Sequence, residues 1–138
     1  MFRLPRRYAD EIVAHARAEA PNECCGVLAG KDGQIVKLYR CTNIEQSPYR
    51  YSVDPKELIK IDQEIRENDW EWLGIYHSHT FTEAYPSATD IRLAYWPDTL
   101  YLIVSLKDPD RPVIRAFYIR DGQVREVPVE IVPDEAPS

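Results

Sequence analysis

The chain lacks any apolar run long enough to cross a bilayer as a helix, so nothing in it reads as a membrane span. It also lacks a cluster of Lys and Arg, since 17 basic residues are outnumbered by 23 acidic ones for a formal net charge of -6. Without such a cluster phosphates cannot be neutralised, which excludes nucleic acid as an expected partner. The basic start Met1-Phe2-Arg3-Leu4-Pro5-Arg6-Arg7 has no apolar core of the kind a secretory signal requires, and a cytoplasmic location is expected. Cysteine is scarce, with Cys24, Cys25 and Cys41 the only three. An odd count with two of them adjacent excludes a disulfide framework, and the absence of C-x2-C spacing excludes a cysteine-built zinc site. These thiols are expected to be reduced and buried in strands. A catalytic thiol paired with a histidine is the remaining reading. Repeats and low-complexity segments are absent too.

What is present is an ordinary globular composition, 44% hydrophobic and 29% charged, on a chain of 138 residues. That length supports a single core. One domain is expected over residues 1–132, followed by a flexible, acidic, proline-containing tail over 133–138.

The most informative stretch runs from His77 to Asp90: His77-Ser78-His79, a loop, then Ser87-Ala88-Thr89-Asp90. The apolar Trp72-Leu73-Gly74-Ile75-Tyr76 in front of it reads as a strand running into the first histidine. In a strand, residues i and i+2 share a face about 6.6 Å apart, so His77 and His79 can converge on one ion while Ser78 points away. Two imidazoles and one carboxylate leave a tetrahedral position open for water, the ligand count of a catalytic rather than a structural zinc site. Ser87-x-x-Asp90 also reads as a helix N-cap with its capping box, with Asp90 at the third helical position. The two readings are compatible, because a carboxylate has two oxygens.

Around this motif the pattern is regular. Residues 7–19 suit an amphipathic helix with Tyr8, Ile12 and Ala16 on one face, and His15 is expected at its surface. Cys24 to Ala29 and Gln34 to Arg40 are β-prone runs joined by the hairpin signal Gly30-Lys31-Asp32-Gly33. A polar loop over 42–47 leads to a short strand over 49–53. Asp54-Pro55-Lys56-Glu57 opens a second helix, with Asp54 as N-cap, Glu57 at its third position, and Leu58, Ile61 and Ile65 as its buried stripe. Thr99 to Leu106 is apolar enough for a central strand covered on both faces. Val113 to Ile119, a tight turn at Asp121-Gly122, and one strand over Gln123 to Ile131 complete the sheet. The expected fold is α+β, a three-layer α-β-α domain with one mixed sheet, a helix on each side and the metal at a strand end.

Glu23, then His77-Ser78-His79, seven residues, Ser87, two residues and Asp90 resembles the JAMM motif of the MPN metalloprotease family, over residues 21–106. Thr80 stands where many members carry proline. The run 76–90, together with 43–48 and Leu102-Ile103-Val104-Ser105, is similar to the bacterial Mec branch of that family. From residues alone Glu23 is an ordinary solvated glutamate, and only the resemblance gives it a role. The resemblance implies a cytidine-deaminase-like fold and a Zn²⁺ ion held by His77, His79 and Asp90. It further implies Glu23 as the acid/base for the attacking water and Ser87 as the hydroxyl that stabilises the oxyanion.

The implied substrate is a small ubiquitin-like sulfur carrier protein with a Gly-Gly C-terminus, from which a cysteine is released. The same residues would serve a JAMM isopeptidase that removes ubiquitin-like modifiers from lysine. A metal-free MPN scaffold is a third reading, opposed by the full set of ligands. Homodimers occur in the family, though no residue here argues for one. Phe81 and Tyr85 in the loop before Ser87 either pack it down or wall an extended substrate tail, and residues 47–53 could offer that tail a strand edge.

Overall fold

Leu100 to Ser105 has all six side chains buried, as a strand without alternation must when both faces of its sheet are covered. The computed structural model describes residues 1–134. In chain order the elements are β1 (Phe2–Pro5), α1 (Arg6–Glu19), β2 (Cys25–Lys31), β3 (Gln34–Cys41), α2 (Pro55–Glu67), β4 (Glu71–His79), α3 (Ala88–Arg92), β5 (Leu100–Ser105), β6 (Val113–Arg120), β7 (Gln123–Val127) and β8 (Val129–Val132). Six strands form one mixed sheet in the order β3-β2-β4-β5-β6-β7, in which only β4 and β5 run parallel.

The two faces of the sheet bury separate cores. Helix α1 packs Tyr8, Ile12 and Ala16 on Leu28, Tyr76, Leu102 and Val104. On the other face, Ile61 and Ile65 of α2 cover Cys25, Val27 and Ala29. Beside them Ile75, Tyr101, Ile103 and Phe117 pack with Ile91 of α3. The expected three-layer α+β arrangement is what the chain adopts, and its histidine-bearing strand β4 lies inside the sheet between β2 and β5.

Three local expectations are corrected. The single strand over 123–131 is two: Pro128, which has no N–H for a ladder, separates β7 from β8, and β8 leaves the sheet to pair in parallel with β1. Phe2 N–H donates to Pro128 O at 2.8 Å, so the break is used to dock the first strand. Residues 49–53 form no strand, only an isolated bridge between Asn43 and Val53. Asp54 caps α2 as expected, and Glu57 at the third helical position accepts Thr42 N–H and Thr42 Oγ1–H at 2.6 and 2.8 Å.

His15, expected at the surface, is 4% exposed, and its Nδ1 shares a 2.7 Å hydrogen bond with Tyr76 Oη. A Cβ at Gly26 would overlap that Tyr76 ring, so the absence of a side chain in β2 makes room for the pair. Of the tail, Asp134 accepts the Arg7 N–H at 2.9 Å, and residues 135–138 lie outside the described residues.

Candidate active site

Strand β4 ends in His77-Ser78-His79, and alternation separates their faces. Ser78 is turned to the α1 side of the sheet, where its Oγ accepts the Cys24 N–H at 2.8 Å. His77 and His79 project from the other face. Their Nε2 atoms lie 3.3 Å apart, and Asp90 Oδ2 is 3.1 Å from the first and 2.9 Å from the second. Asp90 reaches them because α3 begins at Ser87: Ser87 Oγ accepts the Asp90 N–H at 3.0 Å, and Ser87 N–H donates to Asp90 Oδ2 at 2.9 Å. The capping box and the candidate ligand set therefore share one carboxylate. Burial raises the Asp90 carboxyl, but the two imidazoles that face it and the Ser87 N–H outweigh it. The carboxyl is held well below the usual range.

These atoms fit a divalent cation. His79 Nδ1 donates to Glu83 O at 2.9 Å, which leaves its Nε2 lone pair facing His77 and Asp90. With His77 in the same tautomer, two nitrogen lone pairs and a carboxylate oxygen at such spacing repel one another unless positive charge lies between them. Bonds of about 2.0–2.1 Å to a tetrahedral ion put ligand nitrogens about 3.3 Å apart, which is the spacing of the two Nε2 atoms.

Glu23 lies beside this group. The register that pairs Cys25 with His77 continues through Ser78 N–H donating to Cys24 O, which sets Glu23 across from His79. It is 2% exposed, and its Oε1 has no hydrogen-bond partner among the described residues. Burial pushes its carboxyl up to about 8, with His79 pulling the other way and Asp90 adding to the rise. A buried acid poised near neutrality beside a cation site can hold a proton and release it.

In comparison with known proteins, residues 5–120 match Prok-JAB, prokaryotic homologs of the JAB domain. The chain belongs to the Prok-JAB family. Among curated relatives of this JAB protein is the CysO-cysteine peptidase of Mycobacterium tuberculosis, 46% identical over 88% of this chain and 84% of that one. Another is the desampylase of Haloferax volcanii, 38% identical over 70% of this chain and 74% of that one. A solved structure from Desulfitobacterium hafniense superposes with a TM-score of 0.87 at 38% identity, covering 97% of this chain and 94% of that one. The protein is accordingly a hydrolase of the JAB family.

Three thiols stand apart from the JAB site chemistry. All are free and buried. Burial pushes Cys24 and Cys41 up to about 12 and raises Cys25 as well, so none supplies a thiolate at neutral pH. The loop before Ser87 divides its aromatics: Tyr85 packs edge-on against Phe117 at 5.5 Å, whereas Phe81 is 57% exposed. Sequence reasoning misses Tyr51, whose ring stacks on His77 at 4.4 Å and 21°. A lone tyrosine in an irregular segment carries no periodic signal that could single it out. Tyr51 and Asp90 also line a cleft of about 360 Å³ that runs past Arg50, Tyr95 and Trp96.

Proposed function

We propose that this JAB protein is a zinc-dependent hydrolase that cleaves the bond between the C-terminus of a small ubiquitin-like sulfur carrier protein and an attached cysteine. The observation that carries the chemistry is the meeting of His77 Nε2, His79 Nε2 and Asp90 Oδ2, with the partnerless buried carboxyl of Glu23 beside them. Similarity to the mycobacterial CysO-cysteine peptidase supports the substrate class. Zinc bound by His77, His79 and Asp90 would supply Lewis-acid polarisation and acidify water.

Glu23 takes a proton from the attacking water and returns it to the departing nitrogen, a role worth about 10²–10⁴-fold in rate. No covalent bond to the protein is needed. Ser87 Oγ already accepts the Asp90 N–H, so its own hydroxyl proton remains free to donate to the oxyanion of the tetrahedral intermediate. The cleft beside Asp90 supplies room for an extended tail of Gly-Gly type.

A second reading, favoured by similarity to the desampylase, is removal of ubiquitin-like modifiers from lysine. Incubation of the purified protein with a carrier–cysteine adduct and, separately, with a lysine-linked conjugate tests the two. Release of free cysteine at the higher kcat/KM supports the first reading, and preferential cleavage of the lysine conjugate replaces it with the second.

A further inference from the structure

We infer that Asn43 is a positioning residue: through the loop 43–53 it holds Glu23 on one side of the site and, by way of Tyr51, the His77 ring on the other. This rests on the hydrolase reading above and extends it to residues that are not themselves metal ligands.

An asparagine amide has two N–H donors and two acceptor lone pairs. Buried at 9% exposure, Asn43 uses all four. Its Nδ2 donates to Glu23 O at 3.0 Å and to Arg50 O at 3.1 Å. Its Oδ1 accepts Glu45 N–H and Ser52 N–H, each at 3.0 Å. The loop grips Glu23 from the other side as well, because Glu23 N–H donates to Ser47 O at 2.8 Å. Both backbone polar groups of Glu23 therefore bond to this loop rather than to a strand, and the direction of its carboxyl depends on how the loop sits.

The second connection runs through Tyr51. Its neighbours Arg50 and Ser52 each give a backbone group to Asn43, which fixes the residue between them. The Tyr51 ring then lies on His77 at 4.4 Å and 21°. Metal-binding imidazoles are ordinarily oriented by a hydrogen bond at the other ring nitrogen. His79 follows that rule through Glu83 O, whereas His77 Nδ1 is buried without a partner among the described residues. The Tyr51 stack does for His77 what Glu83 does for His79.

Zinc titration of metal-stripped protein, with folding checked by circular dichroism, tests the inference on Tyr51→Phe, Tyr51→Leu and Asn43→Ala. Tyr51→Phe keeps the stack and should bind zinc as the wild type does. Tyr51→Leu and Asn43→Ala should bind about 10–100-fold more weakly. Amide exchange at Glu23 should accelerate in Asn43→Ala while Val27, in the middle of β2, stays protected. Wild-type affinity in Tyr51→Leu overturns the inference, as does a Tyr51→Phe protein as weak as Tyr51→Leu, or unchanged exchange at Glu23. Should Asn43→Ala fail to fold, Asn43→Asp, which keeps the two accepted bonds and loses the two donated ones, replaces it under the same readouts. A wild type that binds no zinc overturns both this inference and the metal reading. A wild type that binds zinc in the expected order of variants but leaves the carrier–cysteine adduct intact removes the substrate and keeps the positioning role.

Discussion

Ser87 and Asp90 hold each other twice, Asp90 N–H to Ser87 Oγ at 3.0 Å and Ser87 N–H to Asp90 Oδ2 at 2.9 Å. The same Oδ2 faces both histidines. Ser87→Ala removes the hydroxyl but keeps the N–H that touches Oδ2. Metal content should therefore persist while kcat falls about 10²–10³-fold through the lost oxyanion donor. Loss of the cap should cost about 1 kcal/mol of stability. Metal analysis, kinetics and thermal unfolding of the one variant separate these effects, and a parallel loss of metal would reduce Ser87 to a cap.

Glu23→Gln preserves shape while removing the proton acceptor. Bound zinc should stay at the wild-type level, and turnover should fall about 10²–10⁴-fold. His77→Ala should behave differently, losing metal and activity together. If Glu23→Gln remains active with metal bound, another group is the base.

The thiols should be silent in the native protein. Cys24 and Cys41 are pushed up to about 12 and Cys25 is raised too, all by burial. A thiol reagent at neutral pH should label none of the three in native protein and all of them in denaturant. Rapid native labelling coupled to inactivation would revive the cysteine-nucleophile reading.

His15 predicts a pH dependence. Burial chiefly, with the Arg40 charge, lowers its pKa from the ordinary 6.5. The unfolded chain therefore binds a proton at His15 below pH 6.5 while the folded state resists it, so stability is full above 6.5 and falls as the pH drops below it. His15→Gln removes this dependence. The stability difference between wild type and His15→Gln, measured by denaturant unfolding, should shift against the wild type as the pH falls from about 6.5 to about 5. A difference that stays constant over this window contradicts the assignment.

Legibility differs from element to element. The capping box at Ser87, the cap at Asp54 and the buried strand β5 depend on contacts within a few residues or on an unbroken apolar run, and such signals survive in one dimension. The burial of His15 is invisible there because its partner, Tyr76, lies 61 positions away. The division at Pro128 needs knowledge that β1 offers a parallel edge to β8. Tyr51 becomes visible only when the irregular loop folds over β4.

By itself the order of residues determined the donor set, because alternation along a strand and the first turn of a capped helix dictate which way His77, His79 and Asp90 point. It also determined the central strand, whose unbroken apolar run has to be covered on both sides. Tertiary structure alone decided where Glu23 stands, since only the β2–β4 register sets it across from His79 and only the folded chain buries it. Long-range pairing carries no local periodicity, and burial is a property of what surrounds a residue.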